Sequence, residues 1–174
     1  AMTIEYKQMA HEAFGIVKGV NPNITTIIGG VYPTLSTQTV MKDPNIDYII
    51  LSEGEERLIK LMKALTSGSR FDRIDGLCYR DNGEWVEHHH SGVGIDDLDT
   101  IPWPDYSDYD MSRYLNWTQK YTQNFQFRQL PVGMMMTSRG CPYKCSYCAA
   151  GNINNPLNDG TRTRSPENVL GEID

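Results

Sequence analysis

The stretch Ile24-Thr25-Thr26-Ile27-Ile28-Gly29-Gly30 determines the fold class that the sequence predicts. It is a β-branched run short enough for a buried strand, and it ends in two glycines. The run Ile46-Asp47-Tyr48-Ile49-Ile50-Leu51 predicts a second buried strand. Apolar residues recur at helical spacing over 4–20 and 55–65, and a further helix is expected near 37–41. This alternation of helices and strands predicts an α/β fold with a parallel sheet.

The residues after the second strand predict a helix and then a β-hairpin. The helix over 55–65 has one apolar face, formed by Leu58, Leu61, Met62 and Leu65. Further on, two strand-like runs, 76–80 and 84–88, flank the turn signal Asp81-Asn82-Gly83, which indicates a hairpin. His88-His89-His90 follows, and we interpret it as a solvated hairpin end because neighbours in an extended run point to opposite faces.

The segment 95–109 has a composition that breaks regular structure. It contains two prolines and five aspartates, namely Pro102, Pro104, Asp96, Asp97, Asp99, Asp105 and Asp108. Such a composition is typical of a solvated interdomain linker. We therefore expect a domain boundary near 95–110.

The overall composition excludes several classes of protein. Of the 174 residues, 39% are hydrophobic and 22% are charged, which fits a packed globular protein rather than a disordered or fibrous one. The net charge of −6 argues against a nucleic-acid partner. Apolar runs are too short for a membrane span, and the first residues lack the pattern of a signal peptide, so a cytoplasmic protein is expected.

Three of the four cysteines are clustered. Cys141, Cys145 and Cys148 have the spacing C-x3-C-x2-C on a segment with little propensity for regular structure, while Cys78 stands alone. Three thiolates on one loop can hold an iron–sulfur cluster and leave one metal position open. Structural zinc is the alternative, and it needs a fourth ligand from Cys78 or a histidine. A strand is expected before the loop, over 132–137, and Ser165-Pro166-Glu167 predicts the start of a helix after it.

The cysteine segment Arg139-Gly140-Cys141-Pro142-Tyr143-Lys144-Cys145-Ser146-Tyr147-Cys148 resembles the signature of the radical S-adenosylmethionine enzymes, C-x3-C-x-aromatic-C. The resemblance implies that Cys141, Cys145 and Cys148 bind three irons of a [4Fe–4S] cluster, and that S-adenosylmethionine chelates the fourth iron. It also implies that the backbone near Tyr147 contacts the adenine. In that family, the reduced cluster cleaves S-adenosylmethionine to a radical that abstracts hydrogen from a substrate.

The amino-terminal half is similar to the end of the cobalamin-binding domain of the cobalamin-dependent class. The similar residues are Ile28-Gly29-Gly30-Val31-Tyr32-Pro33-Thr34, Asp47-Tyr48-Ile49-Ile50 and Ser52-Glu53-Gly54-Glu55-Glu56. The resemblance implies cobalamin binding by Gly29, Gly30, Glu53 and Gly54. Both glycine sites follow strands, where open α/β sheets bind ligands. On a structural interpretation, Gly29-Gly30 is a tight turn and the glutamates are an acidic helix start.

The resemblance also implies a division of the chain. We expect the carboxy-terminal part of a Rossmann-like cobalamin-binding domain over 2–72, a β-hairpin and linker over 73–130, and the start of the radical domain over 131–174. This last part would hold the first strand, cluster loop and helix of an incomplete (β/α) barrel, because a full barrel needs about 200 residues or more.

Two functional hypotheses follow from the sequence. In the first, the chain is a fragment of a radical enzyme that transfers methyl groups or rearranges carbon skeletons, and it is inactive alone. In the second, it is a stand-alone binding or interaction module that holds a cluster or zinc without catalysis. Its small-molecule partners would be the [4Fe–4S] cluster, S-adenosylmethionine and cobalamin. Incomplete sheets also predict a homo-oligomer or a partner chain, because exposed strand edges pair readily.

Overall fold

The structure is a computed structural model that describes residues 6–88, 94–114, 135–143, 145–149 and 160–173. The chain divides into two compact units. The first unit contains residues 1–96 and 140–162, and the second contains residues 97–139 and 163–174. No helix in these described ranges has both the length and the apolar character needed to cross a membrane.

A four-stranded mixed sheet organises the first unit. Its strands lie in the order β1 (Ile27–Gly29), β2 (Tyr48–Ile50), β3 (Leu77–Asp81) and β4 (Glu84–Glu87). Strands β1 and β2 are parallel, as predicted, whereas β3 is antiparallel to both β2 and β4. The predicted hairpin is therefore confirmed, and it extends the sheet that contains the two buried strands.

The hairpin turn has the backbone conformation that its sequence requires. Asn82 and Gly83 have φ values of +50° and +88°. Two consecutive residues with positive φ form the tight turn that matches the twist of antiparallel strands, and Asn-Gly adopts it with little strain. The end of the hairpin differs from the solvated end that we predicted. His88 packs edge-on against Tyr79 and its backbone N–H donates to the Leu77 carbonyl, while His89 and His90 lie outside the described residues.

In the described part of the first unit, four helices accompany the sheet: α1 (Lys7–Val20), α2 (Val31–Leu35), α3 (Thr37–Val40) and α4 (Glu55–Ser67). The first, third and fourth confirm the predicted helices within the described residues. The short helix α2 was not predicted, because five residues are too few to show helical periodicity. Helix α4 ends at Gly68, whose φ of +68° is typical of a helix carboxyl end.

The core occupies both faces of the sheet. Ile49 belongs to a cluster on one face with residues of α2, α3 and β3, whereas Ile50 belongs to a cluster on the other face with Leu61 of α4. Successive residues of a strand point to opposite faces, so both are buried when each face is covered. This double coverage explains why the strands are continuous apolar runs rather than alternating ones.

The buried face of α4 differs from the predicted one. Arg57, Leu61 and Ala64 are buried, whereas Leu58 and Met62 keep 43% and 47% of their surface exposed. The predicted face is therefore correct only in part: Leu61 is buried and Leu65 packs against the core, but Arg57 replaces Leu58 and Met62 on the buried side. The Arg57 guanidinium donates to the Glu53 and Asp75 carbonyls, and these contacts turn the helix so that its arginine faces inward.

Polar contacts attach α1 to the sheet side of the unit. Lys18 Nζ lies 2.6 Å from Asp47 Oδ2, which also accepts hydrogen bonds from the backbone and hydroxyl of Thr26. Near the other end of α1, His11 contacts Asp43 at 2.5 Å and the Tyr32 hydroxyl at 2.9 Å. These contacts hold α1 at two points along its length.

Outside the four-stranded sheet, short elements follow in the second half of the chain. Strands β5 (Ser138–Gly140) and β6 (Thr161–Thr163) form a two-stranded sheet. Of the strand expected over 132–137, residues 132–134 lie outside the described residues, and 135–137 have no regular structure. Helix α5 (Pro166–Ile173) confirms the predicted helix. Its start is capped as expected, because Ser165 Oγ accepts from the Asn168 backbone N–H.

Part of the predicted linker is packed within the second unit. Leu98 is only 3% exposed and begins a 3-10 turn, Leu98–Thr100. Asp99 accepts a hydrogen bond from the Ser165 backbone, and the Trp103 ring lies close to Gly171 on α5. The expectation of a wholly solvated linker is therefore wrong here, because its apolar and acidic side chains contact α5.

Candidate cofactor-binding edge and cysteine loop

The parallel strands bring the four residues expected to bind cobalamin to one edge of the sheet. Strand β1 ends at Gly29, and β2 ends at Ile50, directly before the loop to α4 that carries Glu53 and Gly54. Because the strands are parallel and in register, their carboxyl ends meet at the same edge. This is the edge where open α/β sheets bind ligands, and we refer to it as the sheet edge.

A threonine connects the two loops of the sheet edge. Thr34 Oγ1 donates to the Gly30 carbonyl at 2.7 Å and accepts from the Ser52 backbone N–H at 2.8 Å. Ser52 has a φ of +60°, which is uncommon for a residue other than glycine. The bond from Thr34 helps to hold this conformation. Thr34 was identified from the sequence only within the resembling stretch and was given no role, since its partner Ser52 is 18 residues away.

The glycines at this edge allow close approach within the protein itself. Gly30 has a φ of +105°, a conformation that favours glycine. A Cβ on Gly29 would lie 3.4 Å from the Ile50 carbonyl, and one on Gly54 would lie 3.8 Å from Ile50 Cγ2. Both distances are ordinary van der Waals contacts, so the backbone at each glycine lies directly against Ile50 at the end of β2. Such a surface, with few side chains, also suits a large planar ligand.

Glu53 lies at the sheet edge, but its carboxylate contacts protein groups. Arg162 Nη2 is 2.5 Å from Glu53 Oε1, and Arg162 Nη1 is 3.1 Å from Oε2. The Ile95 backbone N–H donates to Oε2 at 2.8 Å. The Glu53 side chain is 6% exposed and Arg162 is 20% exposed. Hydrogen bonding to Glu53 raises the pKa of Arg162, so the guanidinium remains charged.

Arg57 and Arg162 are site residues that sequence reasoning missed. Arg57 Nη1 donates to the Glu53 carbonyl at 2.5 Å, and its Nη2 lies 2.5 Å from Asp75 Oδ2. The two arginines thus hold Glu53 through its backbone and its side chain. Arg57 follows Glu53 by four residues, a spacing from which a contact between them could have been predicted. Arg162 is 109 residues from Glu53, and no spacing in the sequence indicated that contact.

The cysteine loop presents its thiols to solvent. Cys145 and Cys148 are exposed and Cys141 is partly exposed. The Cys148 N–H donates to the Cys145 carbonyl at 3.0 Å, and Tyr147 is 90% exposed. Among the residues that the structure describes, no three His, Cys, Asp or Glu side chains converge as metal ligands. The three cysteines therefore lie on one segment of chain, but their side chains do not converge on one metal position.

A close backbone contact precedes the cysteine loop. Gly140 has a φ of +93°, and a Cβ there would lie 2.5 Å from the Gly160 carbonyl. A side chain at this position would therefore require the backbone to move. The glycine immediately before Cys141 allows the start of the loop to pack against the residues just before β6.

Cys78 differs from the other three cysteines in its surroundings. It is fully buried in the sheet, opposite Ile49 and Glu87. Burial, with a smaller contribution from Glu87, raises the pKa of Cys78 to about 12. Because Cys78 lies in the core cluster while Cys145 and Cys148 are exposed, it is poorly placed to be a fourth zinc ligand with them.

Comparison with known proteins supports the family resemblance by sequence. An uncharacterized methyltransferase of Pyrococcus horikoshii is 32% identical over 167 residues, which cover 94% of this chain and 33% of that protein. The anaerobic magnesium-protoporphyrin IX monomethyl ester cyclase of Rubrivivax gelatinosus is 32% identical over 170 residues, covering 95% of this chain and 28% of the cyclase. The chain therefore spans about a third or less of these relatives. No family model matches it.

Solved structures support the fold. The cobalamin-dependent S-adenosylmethionine radical enzyme OxsB, with aqua-cobalamin and S-adenosylmethionine bound, matches with a TM-score of 0.71 and 23% identity over 97% of this chain and 21% of OxsB. The radical S-adenosylmethionine methyltransferase TsrM from Kitasatospora setae matches with a TM-score of 0.67 and 17% identity, over 97% of this chain and 30% of TsrM.

The mixed α/β fold of the chain is thus of the Rossmann-like class that is found in cobalamin-binding proteins. Its homologues are methyltransferases and magnesium-protoporphyrin cyclases, and its structural neighbours are cobalamin-dependent radical enzymes. The resemblance stated from the sequence, to the cobalamin-dependent radical S-adenosylmethionine enzymes, is thereby confirmed as a likeness in sequence and in fold.

Proposed function

We propose that these residues form part of a cobalamin-dependent radical S-adenosylmethionine enzyme that transfers a methyl group or rearranges a carbon skeleton. The accessibility of the cysteines carries this proposal. Cys145 and Cys148 of the C-x3-C-x2-C motif are exposed and Cys141 is partly exposed, whereas Cys78 is buried with its pKa raised to about 12. A set of three accessible thiols and one inaccessible thiol fits a cluster with an open position better than a four-cysteine zinc site.

In this proposal, each part of the chain has a separate role. Residues 2–72 are the carboxy-terminal part of the cobalamin-binding domain, 73–130 the hairpin and linker, and 131–174 the start of the radical domain. Cys141, Cys145 and Cys148 would hold the [4Fe–4S] cluster, and the backbone near Tyr147 would contact S-adenosylmethionine. When bound, the cluster supplies the electron that starts radical chemistry. The loop would supply the three cysteine ligands, two of which are exposed and one partly exposed.

The sheet edge would contact cobalamin chiefly through backbone. Gly29, Gly30 and Gly54 present no side chains, and Thr34 holds the two loops together. Glu53 would act indirectly, because its carboxylate is bonded to Arg162 and Ile95. The two relatives, a methyltransferase and a cyclase, support methyl transfer or cyclisation as the activity of the whole protein.

Anaerobic reconstitution of the chain with iron and sulfide tests the proposal. Iron and sulfide are measured per chain, and the reduced sample is examined by electron paramagnetic resonance with and without S-adenosylmethionine. About four irons per chain, with a spectrum that S-adenosylmethionine perturbs, would support it. Stoichiometric zinc with no cluster, or no bound metal, would contradict it and favour a binding module.

A further inference from the structure

The Glu53–Arg162 ion pair joins two segments that are distant in the sequence. Glu53 lies in the loop after β2, and Arg162 lies in β6, 109 residues later. Both guanidinium arms contact the carboxylate, at 2.5 Å and 3.1 Å. A two-armed contact fixes the orientation of the partners as well as their distance. With side chains only 6% and 20% exposed, the pair is weakly screened by solvent.

A third segment of the chain is locked into the same contact. Arg162 Nη1 donates to the Ile95 carbonyl at 2.5 Å, and the Ile95 N–H donates to Glu53 Oε2 at 2.8 Å. At Gly94, an added Cβ would lie 2.5 Å from Arg162 Nη1 and 2.7 Å from Glu53 Oε2. The pair therefore occupies the space that a side chain at residue 94 would need. Three segments meet with little room to shift.

Each end of the pair adjoins a part of the candidate site. Glu53 is flanked by Ser52, which Thr34 holds, and by Gly54. Arg162 comes two residues after Gly160, whose carbonyl packs against Gly140, the residue before Cys141. A displacement of Glu53 would therefore be transmitted to the start of the cysteine loop through short, close contacts.

We propose that Glu53 and Arg162 are positioning residues that couple the sheet edge to the cysteine loop, so that occupancy of one cofactor site changes affinity at the other. The inference rests on the proposed function and deepens it, because it assigns communication between the two cofactor sites to one buried pair. Coupling of this kind is reciprocal: if the cluster strengthens cobalamin binding, cobalamin strengthens cluster binding by the same factor.

Cobalamin titrations of the full chain test this coupling. The dissociation constant of hydroxocobalamin is measured by absorbance, with and without the reconstituted cluster. We expect the two constants to differ by about fivefold or more, within the range typical of coupled sites. In Glu53→Gln the ratio of the two dissociation constants is expected to fall to about one. In Arg162→Lys the ratio should lie between one and the wild-type value, because lysine lacks the two-armed guanidinium group.

Glu56→Gln is the matched control. Glu56 lies three residues from Glu53, carries the same charge, and makes an exposed contact with Lys60 at 3.0 Å. The control should keep the wild-type ratio. A wild-type ratio in Glu53→Gln, with both cofactors bound, would overturn the coupling. A wild-type chain that binds neither cofactor would instead refute the proposed function and, with it, the coupling of cofactor sites.

Hydrogen exchange of the cofactor-free chain supplies a readout that does not depend on loading. Glu53→Gln and Arg162→Lys should raise amide exchange at residues 94–96 and 160–163, while β2 and β3 keep wild-type protection and so report intact folding. Unchanged exchange at both segments would overturn the positioning role. If Glu56→Gln also raises amide exchange at 94–96 and 160–163, the cause is a general effect of charge. That result would likewise overturn the positioning role of Glu53 and Arg162.

Discussion

The sheet edge and the cysteine loop are the two candidate cofactor sites, and they are organised in different ways. At the sheet edge, buried strands set the backbone, and Thr34 and Glu53 bond the loops to other parts of the protein. In the cysteine loop, the thiols of Cys145 and Cys148 face solvent. The first region is organised by the packing beneath it, whereas the three cysteines of the second are not brought together by the fold, so in the proposed function the metal would gather them.

The largest effect is expected at the cysteine loop. Cys145→Ala removes one of three accessible thiols, so the iron content after reconstitution should fall from about four per chain to less than about one. Cys78→Ala is the matched control, because this buried thiol has a pKa of about 12 and lies in the sheet. Retention of a full cluster in Cys145→Ala would remove that residue from the ligand set.

The packing beneath the sheet edge is tested by two leucines of α4. Leu61 is fully buried and Leu58 is 43% exposed. Leu61→Ala should lower the free energy of unfolding by about 3 kcal/mol, because it leaves a cavity in the core. Leu58→Ala should lower it by less than about 1 kcal/mol. Urea denaturation measures both, and equal losses would mean that the buried face of α4 is the one suggested by the apolar pattern.

A glycine tests the tight contact around Glu53. Gly94→Ala places a Cβ 2.5 Å from Arg162 Nη1, so the ion pair must shift, and we expect a loss of about 1–3 kcal/mol. Gly19→Ala in α1 is the control, since nothing lies within 4 Å of its Cβ position. There, alanine should stabilise the helix by about 0.5–1 kcal/mol. Thermal unfolding that is unchanged in Gly94→Ala would show that this contact has room to adjust.

The smallest effect is a pH dependence at the attachment of α1. Burial alone would raise the pKa of Asp47, but hydrogen bonds from Lys18 and Thr26 lower it overall. A carboxylate whose pKa is lower in the folded state stabilises the fold at pH values above its unfolded-state pKa. This stabilisation is lost as the pH falls through its folded-state pKa.

Urea midpoints measured between neutral pH and pH 3 test this attachment. The urea concentration at the wild-type midpoint should decrease as the pH is lowered below about 4. The decrease should be smaller in Asp47→Asn. Asp72, which is exposed, offers the control Asp72→Asn. If Asp47→Asn and Asp72→Asn have the same pH dependence, Asp47 makes no special contribution.

Much of the fold follows from local sequence patterns. The two β-branched runs, the Asn82-Gly83 turn and the Ser165-Pro166 helix start each specify an element through interactions among near neighbours, and each is found where expected. Helix α2 and the inward-facing Arg57 were not predicted. The first is too short to show a period, and the second is a charged residue whose burial depends on the carbonyls of Glu53 and Asp75.

The sequence by itself determined the order of the two parallel strands, the hairpin and helices α1, α3, α4 and α5, and the spacing of the three loop cysteines, because these are properties of continuous stretches of chain. Only the tertiary structure decided that the hairpin joins the sheet of the buried strands, that Cys78 is inaccessible, and that Glu53 faces Arg162. These depend on contacts between residues as far as 109 positions apart. Such contacts form only when the apolar faces of the sheet are covered and the chain is brought back on itself.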